Sequence, residues 1–178
     1  VALDLDPVLL RIAAGALAGE PRAELVEADL RRSDWAERLP EGNFDAVVTA
    51  TALHWLSPER LVDVYRSLAS LVRPGGVFAN SDGIPLGAGG ELSRLAGALE
   101  APPLGEGLSW EEWWRAVGED LELGPLMAER ERRFGFGLHP AEFNPEAGWH
   151  QEQLLGAGFA QAGIPWRRGN AAVLVAVR

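Results

Sequence analysis

Between residues 1 and 80 the apolar positions switch between two periods. Val1, Leu3 and Leu5 recur every second residue, as on one face of a strand. The same reading holds for 23–27 in RAELVEADL, 45–49 in FDAVVTA, and 77–80. Asp6-Pro7 follows the first strand, an aspartate able to cap a helix and then a proline at the first helical position. A helix is therefore predicted over 7–17. Ser57-Pro58 repeats the device. Leu61, Val64, Tyr65, Leu68 and Leu71 then recur at helical spacing until Arg73-Pro74-Gly75-Gly76 stops them. Strands alternating with helices in this way predict an α/β fold on a largely parallel sheet.

From Gly83 to about Pro145 the pattern changes to a stretch rich in glycine, proline, tryptophan and acid. Ser109 and Glu112 have the spacing of a capping box, and the helix after them would carry Trp110, Trp113, Trp114, Val117 and Leu121. Residues 83–149 read as a helical cap inserted over the active edge of the sheet, with 1–178 forming a single domain. Regular structure returns in HQEQLLGAGF, a helix ended by the glycines at 156 and 158. Two strands follow, in AQAGIPWRR and AAVLVAVR, joined by Gly169-Asn170, the reverse of the usual Asn-Gly hairpin pair.

Composition narrows the chemistry. There is no cysteine, which removes disulfides, thiolate nucleophiles and thiolate metal sites, and a cytoplasmic setting is expected. All 16 basic residues are arginine. A P-loop, a pyridoxal-phosphate Schiff base and a protein-kinase site each need a lysine, so all three are excluded. The formal charge of −10 argues against a nucleic-acid partner, and no apolar run approaches the length of a membrane span. His54, His139 and His150 are dispersed and lack H-x-x-x-H spacing, which argues against a metal site.

The order ALDLDPVLL, VEADL, FDAVVTATALHWL, LVRPGGVF, LLGAGF and a terminal hairpin resembles a class I S-adenosylmethionine-dependent methyltransferase, of the small-molecule type with an ALHW segment. The resemblance covers nearly the whole chain outside the cap, through the order and spacing of the motifs together. It implies a Rossmann-like sheet, mostly parallel with a C-terminal antiparallel hairpin and a helical cap after the fourth visible strand. It also places a strand, a glycine-rich loop and a helix ahead of the segment that opens here, with that strand between those at 1–5 and 45–49. The sequence carries neither. PLGAGGEL at 85–92 is the nearest glycine cluster, and it follows the wrong strand. The expectation is a fragment of a longer enzyme, a natural remnant, or a chain that borrows the strand from a second copy in a homodimer.

Residue by residue, the resemblance implies S-adenosylmethionine as cofactor. Asp4, at the end of the first strand, would accept both ribose hydroxyls in charge-assisted hydrogen bonds. Leu5 would lie against the adenine face, Asp29 would accept from the adenine amino group, and Leu30 would offer its backbone N–H. Thr49 would face the methionine part. His54 is the candidate base or acceptor-orienting group, since imidazole suits proton transfer near neutrality. Trp55, with Trp110, Trp113 and Trp114 of the cap, would wall a small-molecule acceptor reacting at oxygen or nitrogen. Two other readings stand beside this one. One is a non-catalytic remnant acting as a binding or assembly module. The other is a nicotinamide-dependent oxidoreductase, in which Asp4 would also hold ribose, although the Tyr-x-x-x-Lys of the short-chain type has no lysine here.

Overall fold

A computed structural model describes residues 1–40, 43–87, 90–99, 107–134 and 143–178. It divides into two compact units, one of Val1–Pro40 and Leu104–His139, the other of Glu41–Pro103 and Pro140–Arg178. The alternation of strand and helix predicted from the sequence is present, and the fold is mixed α/β.

In the first unit, β1 (Ala2–Asp4) pairs in parallel with β2 (Leu25–Glu27), so that Asp4 stands opposite Glu27. Between them runs α1 (Pro7–Ala16), started as the sequence predicts: the Asp6 carboxylate accepts from the backbone N–H groups of Val8 and Leu9, and Pro7 opens the helix. Val8 is wholly buried. Farther along the chain come α4 (Trp110–Glu119) and α5 (Gly124–Phe134), and α5 packs on α1. Both halves of the Ser109–Glu112 capping box form. Leu121 does not join the helix face expected of it. The chain turns extended at Asp120, whose carboxylate accepts from the N–H groups of Glu122 and Leu123, and Leu121 is 95% exposed.

The second unit holds a four-stranded sheet. Its strands are β3 (Phe44–Ala50), β4 (Val72–Gly83), β5 (Gln161–Arg168) and β6 (Ala171–Val177), in spatial order β3-β4-β6-β5. The β3–β4 pair is parallel; β6 is antiparallel to both its neighbours. Burial along β4 has the two-residue period of a sheet covered on one face, with Phe78, Asn80 and Asp82 inside. On that face, Tyr65 of α2 (Pro58–Leu71) meets the Phe78 ring edge-on, and α6 (Ala147–Ala157) packs beside α2. A glycine in the left-handed region, Gly158, closes α6. Gly169 alone of the hairpin-turn pair has positive φ, at 60°. A type II′ turn asks for that at its first central residue, so Gly-Asn, rather than Asn-Gly, is the right order here. A short helix, α3 (Gly90–Ala98), follows β4.

Residues 73–76 do more than stop α2. The helix ends at Leu71 and β4 begins at once, with Val72 opposite Phe44; the register then jumps to Val77 opposite Ala46. The four residues between form a tight excursion that hydrogen-bonds the end of the chain, Gly75 N–H donating to the Arg178 carbonyl and Arg178 N–H to that of Gly76. A Cβ on Gly76 would lie 2.7 Å from Val72 Cγ1 and 2.8 Å from the Asp45 carbonyl oxygen. Gly76→Ala is therefore expected to destabilise the protein by about 1–3 kcal/mol, as overpacking does. Denaturant unfolding checks this, and an unchanged midpoint would mean that the turn moves freely.

Candidate functional site

The residues singled out in the sequence fall into two groups, one in each compact unit. In the first unit Asp4 ends β1, and its Oδ1 accepts the Asp6 N–H at 2.9 Å. Among the described residues its second oxygen accepts nothing. Leu5 follows, and its carbonyl accepts from Arg133 at 3.1 Å. The loop after β2 carries Asp29 and Leu30. Asp29 is gripped by Arg31, from the backbone N–H at 2.9 Å and from the guanidinium at 2.8 to 3.1 Å. Burial raises the Asp29 pKa, but the hydrogen bonds and charge of Arg31 outweigh it and hold the carboxyl below its usual range.

Two arginines of α5 reach these loops. Arg130 meets the buried Asp6 carboxylate at 2.6 Å, and Arg133 pairs with Glu27 at 2.8 Å. The Arg130 guanidinium lies 3.9 Å from the centre of the Trp114 ring, close enough for cation–π attraction. Trp114 in turn packs edge-on against Trp113, at 4.7 Å, and Trp110, at 5.6 Å; Trp110 is 72% exposed. The three tryptophans thus form one cluster, on the helix that stands next to α5.

In the second unit, β3 carries Thr49 opposite Asn80 and then turns sharply. Thr51 sits at φ 50°, costly for a β-branched residue and held by its N–H donating to the Ser81 carbonyl at 2.9 Å. The turn leads into a short 3-10 helix, Leu53–Trp55, with Leu53 buried beneath it. This presents His54 at the carboxyl end of the parallel pair, where its Nδ1 lies 2.9 Å from Asp82 Oδ1 at the end of β4. The same oxygen accepts the Gly83 N–H. A carboxylate only accepts, so Nδ1 carries a proton, and in the neutral ring the lone pair is then on Nε2. The Trp55 ring leans on the imidazole, 4.7 Å between centres.

Asp4 and Leu5 are thus grouped with Asp29 and Leu30 in one unit, and Thr49, His54 and Trp55 in the other. Asp82 and Thr51 were not anticipated. Asp82 had a signal, an acid closing a strand in ANSDG; Thr51 had none, since its backbone angle follows from tertiary contacts. Tyr65, the chain's one tyrosine, is wholly buried and hydrogen-bonded to His150 at 2.8 Å. Among the described residues no group of acids and histidines is arranged to hold a metal, and no helix is long and apolar enough to cross a membrane.

Comparison with known proteins bears on both groups. Residues 1–76 match a methyltransferase domain family. An uncharacterized methyltransferase from Synechocystis sp. is 36% identical over 91 residues, 48% of this chain and 39% of that relative. Among solved structures, PigF with SAH superposes at a TM-score of 0.58 with 20% identity, covering 99% of this chain and 42% of that one. Human N-acetylserotonin methyltransferase in complex with SAM gives 0.57 with 13% identity, covering 99% and 39%. An O-methyltransferase family protein from Burkholderia thailandensis gives 0.55 with 19% identity, covering 94% and 39%. These structural likenesses establish the fold. The chain spans well under half the length of each of these relatives.

Proposed function

We propose, from a chain that belongs with the class I S-adenosylmethionine-dependent methyltransferases by its domain match and its fold, that it takes part in methyl transfer to an oxygen or nitrogen atom of a small molecule. The observation that carries this reading is the His54–Asp82 pair at the strand ends of a chain with that domain match. Asp4 offers a carboxylate oxygen at a strand's end, which fits a ribose diol. Asp29 fits an amino donor less freely, because Arg31 shares both its oxygens. Leu5 would lie against the adenine face, Leu30 would meet the ring through its backbone N–H, and Thr49 would face the methionine part. When bound, S-adenosylmethionine supplies a methyl group that is already activated, so the protein aligns the acceptor and removes its proton. His54 Nε2 takes the proton of the acceptor O–H or N–H, while Asp82 fixes the ring and stabilises the imidazolium that results. In this reading residues 1–178 make a single methyltransferase domain with 83–149 as its inserted helical cap. The open edge of β3, where Val48 is 79% exposed, supports a homodimer, and a monomeric mass in light scattering would remove it.

Calorimetry with S-adenosylhomocysteine tests the cofactor half. Asp4→Ala is expected to weaken binding by about 1.5–3 kcal/mol, the worth of a hydrogen bond to a charged group. Equal affinity in the two proteins would remove Asp4 from the site. If S-adenosylhomocysteine leaves the thermal midpoint of the unmutated protein unmoved, the reading gives way to that of a non-catalytic binding or assembly module.

A further inference from the structure

A cleft opens where β4 gives way to α3. Beyond Gly83 the chain passes the buried Ile84 and reaches Leu86, then enters α3. Leu92, Leu95 and Leu99 recur at intervals of three and four, so they share a stripe, and they are 58%, 45% and 63% exposed. Within the helix, Arg94 grips Glu91. Facing the leucines is the tip of the β5–β6 hairpin with Arg167 and Arg168. The space between holds about 610 Å³, within the range of small-molecule sites.

The two arginines differ. Arg167 is committed to structure, donating to the carbonyls of Ile84 at 2.7 Å and Gly169 at 3.2 Å. Arg168 lines the cleft and makes no ion pair among the described residues. Asp82 stands opposite Ala172 and Gly83 opposite Ala171, and Ile84 N–H donates to the Asn170 carbonyl at 2.8 Å. The hairpin tip is thus tied to the end of β4 that holds the partner of His54, at the strand ends where open α/β sheets take their ligands.

We propose that this cleft binds the acceptor, and that the acceptor is an aliphatic carboxylate that also carries a hydroxyl or amino group: a chain lying along Leu86, Leu92, Leu95 and Leu99, with its monoanionic head on Arg168 and its O–H or N–H left to react. One uncommitted guanidinium matches one carboxylate in charge and in planar two-point geometry. A second copy of the chain seated here would bury Arg168 unless it brought its own acid, so a small amphiphile suits the lining better. The proposal rests on the methyl-transfer reading, which it deepens by naming the substrate class.

The test uses decanoate and 1-decanol as probes in calorimetry, with S-adenosylhomocysteine titrated separately. Decanoate is expected to bind at least about tenfold more tightly than decanol, and Arg168→Gln to abolish that preference, as loss of a charged hydrogen bond requires. Leu95→Asp, at an exposed position, is expected to weaken both probes. The proposal is overturned if decanoate does not bind, or binds equally well to Arg168→Gln. It is also overturned if light scattering shows a dimer that Leu95→Asp dissolves and decanoate leaves intact, which would make the stripe a contact between copies. If decanoate binds but S-adenosylhomocysteine does not, the cleft stands and the methyltransferase reading falls; the reverse pattern separates them the other way.

Discussion

His54→Gln is expected to lower kcat by about 10²–10⁴-fold, the usual worth of a positioned general base, and to leave S-adenosylhomocysteine binding as it was. Glutamine keeps much of the bulk beside Trp55 and can still donate toward Asp82, but it has no lone pair of comparable basicity where Nε2 stands. Asp82 acts through His54 and is a positioning residue. Its Oδ1 accepts both the His54 Nδ1–H and the Gly83 N–H, so the carboxylate is fixed before the imidazole meets it. Asp82→Asn should lower kcat by less than His54→Gln, with KM for the acceptor little changed, because the ring keeps a partner and loses only the charge that stabilises its protonated form. Measuring kcat and KM for both variants decides the roles. A His54→Gln protein with unimpaired kcat would show that the acceptor gives up its proton to solvent and that the dyad is structural.

How much of this was legible in the sequence depends on how local the cause was. The helix starts at Asp6-Pro7 and Ser57-Pro58 and the capping box at Ser109 are settled by residues within a turn of one another, and each forms as read. The strand ends that bear Asp4 and Thr49 were legible for the same reason. The start of β4 was not. Pro74 and two glycines look like punctuation, but Val72 already pairs with Phe44 and the excursion is held by the chain's last residue. Only the assembled sheet makes those partners neighbours. The His54–Asp82 pair spans 28 positions in sequence. Each residue alone was readable as a histidine after a strand and an acid closing one; their meeting required the parallel register of β3 on β4. Leu121 shows the opposite failure. Its spacing continued the tryptophan face, and a local event, the Asp120 turn, overrode it.

Acidification from pH 7 to pH 5 is expected to cost the protein about 2 kcal/mol of stability through His150 alone. The side chain is buried on α6, its Nδ1 is hydrogen-bonded to the Tyr65 hydroxyl at 2.8 Å, and Trp149 packs edge-on against the ring. Burial pushes its pKa down to about 4, and the negative charge of Asp82 only partly opposes this. Burial also raises the Tyr65 pKa, with Asp82 adding to the rise, so the hydroxyl stays protonated. The sign follows from the proton count. In the unfolded chain a histidine takes up a proton below about pH 6.5, whereas in the folded protein His150 resists until about pH 4. Between those values the unfolded state binds more protons. The stabilisation is therefore complete above the unfolded pKa and falls as pH drops toward the folded one, by on the order of 3 kcal/mol in all. Carboxylates held below their usual range, such as Asp29, lose their contribution at lower pH, and comparison with His150→Gln separates His150 from the other two histidines. Urea unfolding at the two pH values, on the unmutated protein and on His150→Gln, measures it. The substitution lowers stability at pH 7 by disturbing the Tyr65 contact, and it should flatten the dependence on pH. If His150→Gln keeps the full loss between pH 7 and pH 5, the acid sensitivity lies elsewhere and the buried ring is not the group that takes up the proton on unfolding.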